Sequence, residues 1–172
     1  MTEEVFVRAE RPGDIPAIRL LNDLAFGQPG EGLLVGALRV AGQLSVSLVA
    51  EQTGEVVGHI AFSPVTLEGQ PDAPGLAGLG PMAVRPDLQR RGIGSRLVRD
   101  GLAACSAAGL RAVVLLGHPE YYPRFGFVPA SRFSRRCVYD APDEAFMALE
   151  LVPGVFAGLA GTLHYAPAFD LV

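Results

Sequence analysis

Two glycines, Gly92 and Gly94, stand where an apolar strand pattern gives way to a helical one. Residues 79–84 form the apolar run, and a period of apolar residues at helical spacing begins at Ile93. The first turn of a helix has backbone N–H groups without an acceptor, and the helix dipole adds partial positive charge there. Glycines at such a turn let an anion approach the main chain, so the pattern predicts a site for phosphate or pyrophosphate.

Two better-known phosphate loops do not match this stretch. A Walker A loop requires a lysine after its second glycine, and the sequence contains no lysine. The dinucleotide fingerprint requires a third glycine where Leu97 stands. Three arginines, Arg90, Arg91 and Arg96, lie beside the turn, and two interpretations of them stay open: side-chain contacts to phosphates, or a solvated face of the helix.

A known signature does match residues 89–94, which read Q-x-x-G-x-G after a strand that ends P-M-A-V-R-P. A second motif, Y-Y-P-R-F-G-F at residues 121–127, follows the next apolar strand. Together they resemble the GNAT superfamily of acyl-CoA N-acyltransferases, and the resemblance extends over most of the chain. It implies one α/β domain (α+β by some schemes) over residues 1–172. The implied sheet is mixed and mostly antiparallel, with about seven strands, about four flanking helices and a splayed parallel strand pair that binds acetyl-CoA.

The resemblance also assigns contacts to the cosubstrate acetyl-CoA. Main-chain groups of Met82, Ala83 and Val84 are implied to bind the pantetheine arm and the acetyl oxygen, where an N–H would stabilise an oxyanion. The residues implied to bind the phosphates are Gln89, Arg90, Arg91, Gly92, Ile93, Gly94 and Ser95. An ordinary buried strand is the alternative for residues 82–84, and Pro81 is expected to mark a bulge or an edge.

Tyr122 is the candidate general acid. It lies four residues before Gly126, as in the family's Y-x-x-x-G-F pattern, and the resemblance implies that it protonates the departing thiolate. A phenol with a pKa of ~10 stays protonated at neutral pH, and the thiol it would regenerate titrates near ~8.5. Tyr121 is the competing residue. The structural alternative is a tyrosine packed on the sheet with its hydroxyl bonded to the backbone.

His118 is the candidate general base. Some relatives carry a glutamate on the central strand, where this chain has Gly80, Pro81 and Met82. His118, at the end of the following strand, is then the titratable residue near the cleft whose intrinsic pKa suits a base. A histidine at a strand end is commonly structural, so water or a distant carboxylate stays an alternative.

Periodicity predicts the elements that position these residues. Strands are expected at residues 5–9, 45–51, 55–64, 76–84, 112–116, 127–129, 146–152 and 161–165. Helices are expected at residues 15–26, 31–41 and 92–108, with a short one at 119–124 and Gly109 as the cap of the third. Residues 65–74 and 131–143 are expected to be turn-rich or irregular.

Composition argues against several classes. A chain of 172 residues with 49% hydrophobic residues suits one buried core. A net charge of −4 argues against nucleic-acid binding. No apolar run approaches the ~18 residues that span a bilayer, and no leader pattern is seen, so a cytoplasmic protein without a membrane partner is expected. Cys105, expected in the core, Cys137 and the three histidines lack ligand spacing, so no metal is expected.

The resemblance implies transfer of an acetyl group from acetyl-CoA to a primary amine of a small molecule or a protein, by direct attack in a ternary complex. Neither cysteine has an activating neighbour, so no acyl-enzyme is expected. Two alternatives stay open: a silent acyl-CoA-binding sensor or interaction module, and an acyltransferase with another acyl chain or acceptor. The acceptor pocket is expected between the first two helices, residues 65–75 and residues 131–144. A monomer or a homodimer is expected, with the apolar tail from Val155 as a possible interface.

Overall fold

The computed structural model describes residues 4–70, 75–133, 135–137, 141–157 and 161–171. Within these ranges the chain forms nine strands and three α-helices. The strands are β1 (Val5–Ala9), β2 (Val46–Gln52), β3 (Glu55–Leu67), β4 (Leu76–Val84), β5 (Ala112–Leu116), β6 (Val128–Pro129), β7 (Arg135–Cys137), β8 (Phe146–Glu150) and β9 (Gly161–Tyr165). The helices are α1 (Ile15–Phe26), α2 (Gly30–Val40) and α3 (Ile93–Ala107).

Seven of the strands follow one another across a sheet in the order β1-β2-β3-β4-β5-β8-β6. Neighbours on this path are antiparallel except β4 and β5, which are parallel. β9 adds to the sheet by pairing antiparallel with residues 65–67 of β3, and β7 lies parallel to β9. This mixed, mostly antiparallel sheet with a parallel pair confirms the predicted fold class.

Alternating side chains on β2 show how helices cover both faces of the sheet. Leu48 and Ala50 belong to the buried cluster that includes the inner side of α3. Val49, between them, packs instead with Ile18 of α1 and Val35 of α2. Because successive side chains of a strand point to opposite faces, α1 and α2 lie on one face of the sheet and α3 lies on the other.

The ends of α3 are fixed by two glycines with positive φ. Gly92, at φ 87°, precedes the first helical residue, and Gly109, at φ 86°, follows the last turn. Beyond Gly109, the Leu110 N–H returns to the Cys105 carbonyl at 2.9 Å, which closes the helix end as in a Schellman motif. The predicted third helix and its glycine cap are confirmed, as is the burial of Cys105.

Three local predictions differ from the structure. β3 runs to Leu67, three residues past its expected end, because β9 offers a partner to its last residues. The irregular stretch expected at 131–143 contains β7. The short helix expected at 119–124 is a 3₁₀ turn, Tyr122–Phe125. Residues 71–74, 134 and 138–140 lie outside the described residues.

The start of the apolar tail, Val155 and Phe156, packs against the rest of the chain. Val155 and Phe156 are 8% and 3% exposed and belong to the same buried cluster as residues of β5 and β8. These two residues are therefore not available as the interface that the sequence suggested. In the part of the chain that the structure describes, no helix has the length and apolar character needed to cross a membrane.

Candidate active site

The parallel strands β4 and β5 stay paired over only three residues each. Gly78 opposite Val114 is the last pair, and beyond it β4 follows β3 to Val84 while β5 follows β8. The register between β3 and β4 shifts here because Gly80 and Pro81 together stand opposite a single residue of β3. This is the bulge that Pro81 predicts. The two strands separate and leave a gap lined by backbone groups without a strand partner.

The turn before α3 presents backbone donors toward one end of this gap. Gly92 and the preceding Arg90 both have positive φ, 87° and 65°. The first helical hydrogen bond runs from the Arg96 N–H to the Gly92 carbonyl at 3.0 Å. The N–H groups of residues 93–95 come before that bond and have no backbone acceptor among the described residues. Successive free amides next to a left-handed residue form a concave anion site.

The space in front of these donors is open. A Cβ added to Gly92 would meet no atom within 4 Å, and one on Gly94 would lie 3.5 Å from Met82 Cε and from the Tyr121 hydroxyl. Gln89 connects this turn to the strand, since its Nε2 donates to the Val84 carbonyl at 3.0 Å. The turn faces a cavity of about 450 Å³, so its size and its uncrowded amides fit a pyrophosphate group.

Arg124 is a second cation at this cavity that the sequence analysis missed. It lines the cavity together with Arg90. Its Nε donates to the Tyr121 carbonyl at 2.8 Å, and its guanidinium carbon lies 4.5 Å from the centre of the Tyr121 ring. The signal was present, because Arg124 is the arginine of the Y-Y-P-R-F-G-F motif.

The other two arginines near the turn are placed differently. The Arg96 guanidinium donates to the Val5 carbonyl and lies 3.5 Å from the Asp100 carboxylate, so it is engaged along the side of α3. Arg91 does not line the cavity. Of the three arginines weighed from the sequence, the structure brings Arg90 to the phosphate-sized cavity.

Tyr121 and Tyr122 face two different cavities. The Tyr121 hydroxyl lies 2.9 Å from Ser95 Oγ, at the start of α3. Tyr122 lines a second cavity of about 460 Å³ at the other end of the gap. Its hydroxyl has no hydrogen bond to any residue that the structure describes, so the backbone-bonded alternative has no partner there. The structure thus separates two neighbours that the sequence could not.

The ring of Tyr122 is held tightly. It is 8% exposed and packs edge-on against Tyr121 and Phe127, with ring centres 5.0 and 5.9 Å apart. A Cβ added to Gly117 would fall 2.6 Å from its Cε2 atom, so the ring occupies the place that the glycine leaves free. Burial, with a smaller effect of Tyr121, raises the pKa of Tyr122 to about 12. The phenol is therefore fully protonated at neutral pH.

The second cavity, which is called the acceptor cavity because an acceptor is proposed to bind there, has mostly apolar walls. Its apolar side chains include Phe26, Leu34, Leu79, Met82, Leu116 and Phe169. Its polar side chains are Glu31, His118, Tyr122 and Tyr165. His118 lies at the rim, with 82% of its side chain exposed and Nδ1 3.8 Å from a Glu120 oxygen.

Two separate parts of the chain form the walls of the acceptor cavity. α1 and α2 contribute Phe26, Glu31 and Leu34. The opposite wall comes from β9 and the turn after it, through Tyr165 and Phe169. No described residue of 65–75 or 131–144 lines this cavity. The reason is that residues 65–67 pair with β9, which brings the tail to the cavity instead.

Neither a nucleophilic thiol nor a metal cluster is found among the described side chains. Cys105 is completely buried, and burial raises its pKa to about 12, so it carries no thiolate at neutral pH. No three His, Cys, Asp or Glu side chains that the structure describes are grouped as metal ligands.

These features place the chain in a known family of enzymes. It belongs to the acetyltransferase (GNAT) family, whose family model matches residues 17–127. The resemblance drawn from the two motifs is therefore confirmed, and the chain is a GNAT N-acetyltransferase. It is 35% identical to the uncharacterized N-acetyltransferase YhbS of Escherichia coli over 167 residues, which cover 96% of this chain and 99% of that protein.

Two solved structures are similar over nearly the whole chain. One is that of YhbS from Escherichia coli in complex with CoA, with 34% identity, a TM-score of 0.93 and coverage of 99% of this chain and 94% of that chain. The other is a GNAT family acetyltransferase from Brucella melitensis in complex with acetyl-CoA, with 41% identity, a TM-score of 0.81 and coverage of 98% and 100%.

Proposed function

We propose that the chain binds acetyl-CoA across the gap between β4 and β5 and transfers the acetyl group to a primary amine in a ternary complex. The observation that carries this proposal is the separation of the parallel pair beyond Gly78 and Val114. Free helix-start amides lie at one end of the gap, and Tyr122, which is 8% exposed, lines the cavity at the other. The similar structures with CoA and acetyl-CoA support the choice of cosubstrate.

The pyrophosphate is proposed to accept hydrogen bonds from the N–H groups of Ile93, Gly94 and Ser95. Gln89, Arg90, Arg91 and Gly92 shape or flank this turn, and the Arg90 and Arg124 side chains add positive charge at its cavity. Since the chain has a net charge of −4, this local set of donors must offset an unfavourable global field. The pantetheine arm is proposed to lie against the main chain of residues 82–84.

The amine is proposed to attack the thioester carbonyl directly. The C–N bond forms, negative charge builds on the carbonyl oxygen, and an N–H from the main chain of residues 82–84 stabilises it. The C–S bond then breaks, and the Tyr122 hydroxyl delivers its proton to the departing sulfur. The proton lost by the amine passes to a base or to water, and Tyr122 is reprotonated from solvent. No covalent acyl-enzyme is required, in agreement with the inert state of Cys105.

Burial raises the pKa of the proton donor and the pKa of the leaving thiol in the same direction. A phenol with a pKa of about 12 is a poor donor to a thiolate in water, where a thiol titrates near ~8.5. Desolvation also raises the pKa of a thiol, as it does for the buried Cys105. Partial burial of the departing sulfur therefore offsets part of the raised pKa of Tyr122.

His118 stays the candidate base. It lines the acceptor cavity, but its imidazole is largely exposed and lies near Glu120. Water is the alternative base, because the rim where His118 stands is open to solvent. The pH profile of kcat/KM for His118→Ala decides between them: loss of the acidic limb supports the histidine, and an unchanged profile removes it from the mechanism.

The matched variants Tyr122→Phe and Tyr121→Phe test the assignment of the acid. Calorimetry with acetyl-CoA measures cosubstrate binding, and thiol release with a panel of amines measures turnover. Tyr122→Phe is expected to bind acetyl-CoA nearly as well as wild type but to lower kcat by about 10²–10⁴, the usual contribution of general acid catalysis. Tyr121→Phe is expected to weaken binding instead, since its hydroxyl lies by the phosphate turn. The opposite pattern would assign the acid to Tyr121.

The cellular compartment and the oligomeric state are also part of the proposal. Acetyl-CoA is an intracellular metabolite, so we place the activity in the cytoplasm, carried out by a single GNAT domain as a monomer or a homodimer. Light scattering of the purified protein with and without acetyl-CoA checks the oligomeric state.

A further inference from the structure

Among the residues that the structure describes, the wall of the acceptor cavity has one carboxylate and no arginine. Among the described residues that line it, Glu31 is the acidic side chain, and His118 stands at the exposed rim beside Glu120. A negatively charged group on the acceptor would meet no cation inside this wall. Placing an anion in such apolar surroundings is costly unless it is paired, so the wall disfavours acceptors that carry a carboxylate or a phosphate.

The Glu31 carboxylate is held in position by a neighbouring side chain. The Gln28 side-chain amide donates to both of its carboxylate oxygens, at 2.8 and 3.2 Å. It lies in the first turn of α2, where the helix dipole stabilises negative charge. A half-buried, oriented carboxylate that faces an apolar cavity is complementary to a single ammonium group.

Aromatic rings form much of the remaining wall. Tyr122 packs over Gly117, and Tyr165 packs over Gly78 in the same way, with a Cβ on Gly78 only 2.5 Å from Tyr165 Cε1. Phe26 and Phe169 add two further rings. Rings seated on glycines cannot be displaced without cost, so they form rigid apolar walls suited to a planar or compact apolar body.

The size of the cavity favours a small molecule. Its volume of about 460 Å³ is in the lower half of the range of about 300–1,000 Å³ that is usual for small-molecule sites. The acetyl end of the cosubstrate must share this space with the acceptor. What is left suits an amine with a body of roughly the size of one aromatic ring.

We infer that the acceptor is a small primary amine on an aromatic or similarly apolar body, without a carboxylate or phosphate, whose ammonium form is bound by Glu31. This inference rests on the proposed function. The ammonium group pairs with the Glu31 carboxylate on entry and then loses its proton to the base at the rim, His118 or water. The neutral amine attacks the thioester, and Glu31 takes no part in the proton transfer. Glu31 is thus a specificity residue for the acceptor.

Three amines test the acceptor class. 2-Phenylethylamine and L-phenylalanine differ by one carboxylate, and 1,4-diaminobutane has a short methylene chain in place of the ring and a second cation. We expect kcat/KM for 2-phenylethylamine to exceed that of each of the others by roughly tenfold or more, since a buried carboxylate or a second charge finds no partner in the wall. Equal or better use of L-phenylalanine or 1,4-diaminobutane overturns the inference. So does acetylation of none of the three by protein that binds acetyl-CoA in calorimetry. Absence of acetyl-CoA binding would instead overturn the proposed function itself.

Glu31→Gln and Glu68→Gln test the role of the carboxylate. Both remove one negative charge with little change in shape, but Glu68 is 66% exposed, pairs with His164 at 3.5 Å and does not line the acceptor cavity. Glu31→Gln is expected to raise KM for 2-phenylethylamine roughly tenfold while the Kd of acetyl-CoA is unchanged, because a charge-assisted pair is lost. Glu68→Gln is expected to leave both constants at wild-type values. An unchanged KM in Glu31→Gln, or an equal rise in both variants, overturns the inference.

Discussion

Gly117→Ala moves the Tyr122 ring without changing its chemistry. An alanine Cβ at this position would lie 2.6 Å from Cε2 and 3.0 Å from Cδ2 of Tyr122. Ordinary contact begins at 3.4 Å, so the ring or the end of β5 must shift by about 0.8 Å. The backbone at Gly117 is not in the left-handed region, so the alanine itself is not strained there. The substitution therefore tests position alone.

The expected effect follows from the size of this shift. A misplacement near 1 Å at a reacting group costs on the order of 10²-fold, so kcat should fall roughly 10–100-fold. Overpacking costs about 1–3 kcal/mol of stability. For a chain of this length, that lowers Tm by roughly 2–12 °C. Cosubstrate binding should be retained, because Gly117 does not line the phosphate-sized cavity.

Gly36→Ala is the matched control. It lies in α2, and its added Cβ would meet no atom within 4 Å. It should keep kcat and leave Tm unchanged or higher, since alanine is favoured over glycine in a helix by up to about 1 kcal/mol. Thiol-release kinetics, calorimetry with acetyl-CoA and thermal melts give the three readouts. If Gly117→Ala melts lower but keeps kcat within about twofold of wild type, the placement of the Tyr122 ring does not limit turnover and the reasoning is refuted.

Two further predictions concern the phosphate turn and the buried His59. Gly92→Val should abolish acetyl-CoA binding in calorimetry, because the side chain fills the open space at the turn. Gly42→Val, at an equally open glycine with φ 69°, should cost similar stability and keep binding. Equal affinities of the two variants for acetyl-CoA would contradict the proposed phosphate site. Burial is the main reason that the pKa of the fully buried His59 is lowered to about 4. The unfolded histidine takes up a proton near pH ~6.5 but the folded one does not until about pH 4, so stability should fall by up to about 3 kcal/mol as the pH drops through this window. Thermal melts between pH 7 and 4.5 should show a steeper loss for wild type than for His59→Gln, and identical slopes would contradict this.

The cosubstrate half of the site was predictable because its geometry is local. The free amides of residues 93–95 follow from the start of a helix, and that start is written in the sequence as an apolar period after Gly92. The gap between β4 and β5 was expected from family resemblance, and the bulge that accompanies it from Pro81. The positive φ of Arg90 was not predictable, since an arginine gives no signal for that conformation.

Which of Tyr121 and Tyr122 lines which cavity depends on tertiary packing and cannot be derived from their order in the sequence. Tyr121 is the residue just before the 3₁₀ turn and Tyr122 is its first residue, and their side chains line different cavities. The spacing to Gly126 favoured Tyr122 by resemblance, yet which hydroxyl entered which cavity depended on how the turn packs against Gly117 and Ser95. The same packing brings Arg124, the arginine of the Y-Y-P-R-F-G-F motif, to the phosphate-sized cavity.

The cosubstrate half and the proposed acceptor half of the site are built from different kinds of sequence segment. This difference affects how acceptor specificity can change. The cosubstrate half is built from short continuous segments, so its residues cannot be varied independently of the local backbone. The proposed acceptor half is assembled from α1, α2 and the tail after β9, which meet through tertiary contacts such as the pairing of residues 65–67 with β9. Because those contacts do not pass through the phosphate turn, we expect substitutions at Glu31, Phe26 or Phe169 to alter acceptor use while acetyl-CoA binding is kept. The sequence motifs therefore say little about the acceptor, and its proposed class is derived from the shape and charge of the cavity.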